Sequence, residues 1–273
     1  MITYERLQPR ASLSELFDLI EIYEVPKEDT PLRLRFLPEE RRYLSFCCGS
    51  AFYYEILGIR TYFREQFFFS GVSPNYAKIS LDGALTMINF RLSPCSIFRF
   101  TDKDASLYAN KLIAFDKLLD IDSSTLIEHL IKTGDVKERV GHIQDFIEQL
   151  PLKKPSICDE KFSSIIRDIL NEKGQFNVQH IIEKHAVSYT YMERLFHHYI
   201  GISPKKYSSL LRIKHIIELS KEKPSIRYID LALEQGYYDQ AHFNKEFKQF
   251  TGINPHTFYR TKKLLGDSFV LLD

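Results

Sequence analysis

Gln240, Ala241, His242, Asn244 and Lys245 crowd into one short stretch near the C-terminus, and Tyr189, Thr190, Glu193, Arg194, His197 and His198 crowd into another upstream of it. Most are hydrogen-bonding side chains of short or medium reach. Such groups can meet the donors and acceptors on base edges in a DNA major groove, where Arg and Lys suit guanine, Gln and Asn adenine, and Glu cytosine. Catalytic constellations are harder to assemble. The first 128 residues hold no histidine, so no Ser-His or Cys-His pair and no His/carboxylate metal site can be built there. His185, His197, His198, His215 and His256 share no metal-like spacing. No metal and no cofactor is expected.

The elements that must position these residues are written twice. FHHYIGISPKKY (Phe196 to Tyr207) returns 51 positions later as FKQFTGINPHTF (Phe247 to Phe258). In that register Met192 pairs with Phe243, Arg194 with Lys245, Gly201 with Gly252, Pro204 with Pro255, the helix-capping Ser188 with Asp239, and Ile182 with Leu233. Each copy predicts a helix, a short turn, a second helix and then Gly-Ile-(Ser/Asn)-Pro, a helix-turn-helix in duplicate. Met192, Leu195, Phe196 and Tyr199 make the inner stripe of the first second helix, and Phe243, Phe247 and Phe250 that of the other. Glu246 stands where the first copy has the apolar Leu195, a difference the sequence does not explain.

Flanking signals fit. Gly174 is expected to stop a preceding helix, and Asn177 to cap VQHIIEKH. Gly201 ends a helix, Ser203 caps the next and Pro204 opens it. If Pro204 to Leu219 is helical, its 16 residues span about 24 Å. The two second helices would then lie about 34 Å apart, one turn of B-DNA, and could enter successive major grooves.

SYTYMERLFHHYIGISPKKYSSLLRIKHI and DLALEQGYYDQAHFNKEFKQFTGINPHTFYR (Asp230 to Arg260) resemble the AraC/XylS transcription regulators. The likeness covers roughly residues 160–263 and implies a bacterial DNA-binding domain of seven helices. It implies base-facing roles for Thr190, Glu193 and Arg194 in the first unit and for Gln240, Ala241, His242 and Lys245 in the second. Backbone contacts would come from Ser188, Tyr189, Asp239 and Asn244. The first unit departs from the family pattern at Ile182 and Ala186, where a small Ala and a turn Gly are usual. LTMINFRLSPCSIFRF and the helical segments after it more loosely resemble a cupin-like sensory domain.

QLPLKKPS (Gln149 to Ser156) reads as a linker and sets the boundary: residues 1–155 a cupin-like β-rich sensory or dimerisation domain with a helical tail, residues 156–265 an all-α double helix-turn-helix. The fold class is thus multidomain α+β. Short aromatic and β-branched runs such as RYLSFCC and REQFFFSGVS predict a β-sandwich or small barrel. From Asp104 to Leu150, KLIAFDKLL, DSSTLIEHLI and KERVGHIQDFIEQL show helical periodicity. Leu126, Ile127, Leu130, Ile131, Val140, Ile143, Phe146, Ile147 and Leu150 either pack on the barrel or serve self-association.

Residues 1–155 hold 20 Lys and Arg against 22 Asp and Glu, whereas the remainder holds 17 against 14. A modest basic excess in the second part permits a polyanionic partner without proving one. The four cysteines share no Cys-x-x-Cys spacing and are expected to be buried reduced thiols. MITYERLQPRASL has no apolar stretch suited to a signal peptide and no segment is long enough to span a bilayer, so the cytoplasm is the expected location.

The sequence therefore reads as a DNA-binding transcription regulator rather than an enzyme. Its expected partner is double-stranded DNA; a small-molecule effector, RNA polymerase and a second copy of the chain are further candidates, and a membrane is not. The rivals are a protein-interaction adaptor with a degenerate helix pair and a cupin-type small-molecule enzyme.

Overall fold

The computed structural model describes residues 1–153, 160–172, 177–223, 226–261, 264–265 and 269–272. The first ten strands are β1 (Thr3–Leu7), β2 (Phe17–Val25), β3 (Leu32–Phe36), β4 (Tyr43–Gly49), β5 (Phe52–Ile56), β6 (Ile59–Phe63), β7 (Gln66–Ser70), β8 (Ala77–Leu81), β9 (Leu85–Leu92) and β10 (Leu112–Ala114). Three helices follow, α1 (Phe115–Leu119), α2 (Ser124–Lys132) and α3 (Val136–Gln149). The C-terminal part adds α4 (Glu160–Asn171), α5 (Val178–Lys184), α6 (Tyr189–Tyr199), α7 (Pro204–Glu222), α8 (Tyr228–Glu234), α9 (Gln240–Thr251) and α10 (Pro255–Thr261). It ends in β11 (Leu264–Leu265) and β12 (Phe269–Leu272).

The strands form two antiparallel sheets, ordered β1-β2-β9-β4-β7-β10 and β11-β12-β3-β8-β5-β6. The first sheet is apolar on both faces, and strand alternation sorts its side chains. Leu44, Phe46 and Cys48 of β4, with Phe67 and Phe69 of β7, join the large core shared with the helices, while Cys47 and Phe68 point into the smaller core between the sheets. The Phe67-Phe68-Phe69 run is thus divided between two cores. Leu130, Val140, Ile143 and Ile147 are buried, so α2 and α3 pack on the sheet, leaving Ile131 exposed.

Two expectations are corrected here, and one segment the sequence left open is placed. KLIAF begins as strand: β10 pairs with β7, and only Phe115–Leu119 is helical. A short segment that completes a sheet takes the extended form whatever its local periodicity. Cys95 is disulfide-bonded, while Cys47 and Cys48 are free and buried; chain spacing carries no information about a pairing that the fold creates. The terminal FVLL segment adds to the second sheet, β12 pairing with β3 from Phe269↔Phe36 to Leu272↔Arg33. Pro155, within the expected linker, and Gly174 lie outside the described residues, but Lys153 is tied to the β-rich part, its amide donating to the Arg99 carbonyl at 3.0 Å.

The two parts share one continuous core and a polar junction. Buried Arg42 donates through Nη2 to the carbonyls of Tyr199 and of Ile200, the latter at 2.9 Å, at the C-terminal end of α6. Arg35 Nη1 donates to the Thr251 carbonyl at the end of α9, 3.3 Å away. Phe98 stacks on His198 and meets Tyr199 edge-on, and Asp104 pairs with His198. Gly201 turns here at φ +99°, and a Cβ would stand 2.6 Å from the Ala105 carbonyl oxygen. On α7, Lys214 Nζ lies 2.7 Å from Glu39 and 2.5 Å from Glu40.

Burial, then the charge of Glu40, pushes Glu39 up to about 7 against the pull of Lys214. Burial opposes ionisation of Glu40 as well, but Lys214, the Glu39 hydrogen bond and Arg41 hold it down to about 2. Glu39 takes its proton more readily folded than unfolded, so its contribution to stability is full below the unfolded carboxylate range and is lost as pH rises through about 7. Glu40 contributes above that range and loses its contribution as pH falls toward 2. Thermal denaturation from about pH 5 to about pH 8 is expected to show a smaller decline in Tm for Glu39→Gln than for the wild type. Parallel curves would contradict this titration.

Candidate nucleic-acid interface

Each helix-turn-helix places one face of its second helix outward by burying the opposite one. In α6, Met192, Leu195, Phe196 and Tyr199 are buried, and in α9 Phe243, Phe247 and Phe250 are buried. Tyr189, Thr190, Arg194 and His197 are exposed on α6 and Glu193 is half-buried. Gln240, Ala241, His242 and Lys245 are exposed on α9. Asn244 is half-buried, its Oδ1 buried and without a hydrogen-bond partner. His198, expected outside with its neighbours, instead belongs to the junction with Phe98 and Asp104, because this end of α6 faces the β-rich part.

Local chemistry starts both helices. Ser188 accepts from the Tyr191 amide, and Asp239 accepts from the His242 amide at 2.7 Å, each satisfying an orphan donor of the first turn. Around α6 the charges are locally engaged: the Arg194 guanidinium sits 5.0 Å from the Tyr191 ring centroid. Partial burial and the neighbouring Glu193 carboxylate push the Tyr189 phenol up.

The two units are copies in two registers. α9 begins 51 residues after α6, but α8 begins 50 residues after α5 (Tyr228 against Val178), and the helix-ending residues His185 and Gln235 are likewise offset by 50. Ile182 therefore corresponds to Ala232, not to Leu233 as a uniform offset suggests. The second turn holds one residue more, and there Tyr238 stands out with 89% of its surface exposed, beside the cap of α9. A residue in this position is a candidate contact that the uniform register concealed.

Both turns need a left-handed residue. The second unit uses Gly236 at φ +83°, whereas the first uses Ala186 at φ +49°. The expected departure at Ala186 is thus a strained residue in a conserved backbone path, and the turn is formed nonetheless.

The units are set apart by α7, whose 19 residues span about 28 Å. A cleft of about 560 Å³ is lined by residues of α7 together with Tyr189 of α6 and His242 of α9. A second cavity, about 40 Å³, lies between the two sheets; Tyr43, Ser45, Tyr54, Asn89 and Phe68 line it together with Phe269 from the terminal strand. Among the described residues no group of three or more His, Cys, Asp and Glu is placed to hold a metal ion. No described helix is long and apolar enough to cross a membrane.

Residues 181–261 match a family described as a helix-turn-helix domain. An uncharacterized HTH-type transcriptional regulator of Haemophilus influenzae is 26% identical over 122 residues, 44% of this chain and 40% of that protein. The HTH-type transcriptional activator AarP of Providencia stuartii is 28% identical over 118 residues, 41% of this chain and 84% of that protein. The match thus spans less than half of the Haemophilus protein. Among solved structures, ToxT from Vibrio cholerae aligns over 95% of this chain and 97% of its own, with a TM-score of 0.49 and 10% identity. The AraC-like transcriptional activator CuxR aligns over 80% and 87%, with a TM-score of 0.27 and 13% identity.

The strained turn makes a testable exception to the usual cost of glycine. Ala186→Gly relieves a left-handed alanine, which costs about 1–2 kcal/mol, while glycine loses about 0.5–1 kcal/mol through its freer unfolded chain. A small net stabilisation is expected in denaturant melts, and a loss of 1 kcal/mol or more would show that the alanine methyl is a packing contact.

Proposed function

We propose that this chain, whose residues 181–261 form a helix-turn-helix domain of the AraC type, is a sequence-specific DNA-binding transcription regulator. The observation that carries the reading is the duplicated one: two capped amphipathic helices, each with its apolar face buried and a hydrogen-bonding face exposed, joined through one long helix.

Thr190, Glu193 and Arg194 would read base edges in one major groove, and Gln240, Ala241, His242 and Lys245 in the next. Ser188, Tyr189, Asp239 and Asn244 would meet the sugar-phosphate backbone, where helix N-termini also favour phosphate. Arg194 stacked on Tyr191 is pre-oriented for a planar acceptor pair. The formed turn around Ala186 supports engagement of the first unit despite its departures from the family pattern.

In this reading residues 1–155 sense a signal or dimerise, and residues 156–265 bind DNA. The aromatic cavity between the sheets is the candidate effector site; at about 40 Å³ it holds a few waters as it stands, so a larger effector would displace side chains such as Phe269. RNA polymerase and a second copy of the chain are the protein partners that regulation would require. The protein acts in the cytoplasm, binds DNA without a cofactor, and is not an enzyme.

Selection from a randomised duplex pool at physiological salt tests the function. The expected result is an enriched two-part motif with half-sites one helical turn apart. Lys245→Ala and His242→Ala should each relax preference at particular base pairs of one half-site, costing about 1–3 kcal/mol there. A pool without enrichment, even at low salt, would remove the DNA reading and favour a protein-interaction role for the helix pair.

A further inference from the structure

We infer that the cleft between the two helix-turn-helix units is a phosphate seat, in which Lys205 and Arg212 of the connecting helix hold the DNA backbone between the two half-sites. The inference rests on the DNA-binding reading above and adds to it a contact surface outside both second helices.

The placement comes first. The cleft is lined by Tyr189 and His242, one from each second helix, and by Lys205, Ser209 and Arg212 of α7. A body that sets one helix in each of two successive major grooves faces, midway, the minor groove and the two backbones that border it. Whatever fills this cleft in such a complex is therefore sugar and phosphate.

The charges of α7 are divided to match. Lys214 faces the β-rich part, where Glu39 and Glu40 neutralise it. Lys205 and Arg212 are seven residues apart, two turns on one face of the helix and roughly 10 Å along its axis. Neither has an ion-pair partner among the described residues, and together they outnumber the one carboxylate of the lining, Glu246. The Arg212 guanidinium is already positioned, 5.2 Å from the Tyr237 ring centroid, and its buried Nε has no hydrogen-bond acceptor. A planar, pre-ordered guanidinium with an unsatisfied donor suits a phosphate oxygen. Ser209, between the two cations, adds a hydroxyl donor.

This also gives Glu246 a place. Its counterpart Leu195 is buried in the core of the first unit, whereas Glu246 faces the cleft. It is the one acidic lining residue of a site with two cations, which limits the seat's hold on free anions without cancelling its charge.

The test compares wild type, Arg212→Ala, Arg212→Lys and Lys205→Ala, all as full chains, on the selected duplex and on an unrelated duplex across a salt series. Each alanine variant is expected to weaken both duplexes by a similar factor, about three- to tenfold, and to reduce the slope of log K against log salt by about 0.9. Arg212→Lys should keep the slope. A selected duplex made neutral by methylphosphonates at the phosphates between the half-sites should weaken the wild type and leave the alanine variants no further affected. Unchanged slopes, or full sensitivity of the variants to the neutral linkages, would overturn the seat while leaving the DNA reading intact. Failure of the wild type to bind any duplex would overturn both. Should Arg212→Ala lose its fold by circular dichroism, the exposed Lys205 decides the question alone.

Discussion

The end of the first unit's second helix rests on one buried cation. The last carbonyls of a helix lack intrahelical donors and carry the negative end of its dipole, and at the end of α6 the Arg42 guanidinium, itself inside the protein, supplies the missing donors. Removing it would leave two carbonyls of the helix end short of a donor in a place water does not reach, which is far costlier than losing an exposed ion pair. Burial pulls Arg42 down to about 10, so it remains charged across the physiological range. Arg35 meets the end of α9 in the same way. Both second helices are thus held from behind by the β-rich part, with their N-terminal turns left outward.

This arrangement links the sensory and DNA-reading candidates by direct contacts. β3 carries Arg35, pairs with the terminal strand β12 and contributes Phe36 to the cavity that Phe269 also lines. β3 thus touches both the cavity, through Phe36, and the end of α9, through Arg35. The first unit is joined by a different route, Arg42, Phe98 and Gly201, and α7 is fixed between them by Lys214. The relative setting of the two units is therefore a property of the whole chain.

Much of the candidate site was legible because its determinants are local. Capping residues such as Ser188 and Asp239, the apolar stripes through Phe196 and Phe247, and the Gly-x-(Ser/Asn)-Pro ends all act within a few residues of chain. The features that escaped are those made by distant pairings. Nothing in the sequence marks Glu39, Glu40 and Arg42, yet Glu39 and Arg42 are buried, the two carboxylates meet Lys214 of α7, and Arg42 meets the end of α6. FVLLD is too short to assign alone, yet its partner is β3. Cys95 gave no sign of its disulfide, and KLI in β10 was drawn into a helix by the periodicity that follows it. The one-residue difference between the two turns was masked by the stronger match of the second helices, which hid Tyr238.

The central claim is that two helix faces on one rigid chain read one side of a duplex. Affinity measured on the selected site and on versions with five base pairs inserted between the half-sites tests it most directly. Half a turn of extra duplex rotates the second half-site to the far side, and the account predicts that affinity falls to that of a single half-site. Unchanged affinity on the lengthened site would show that the two units bind independently, and would contradict it.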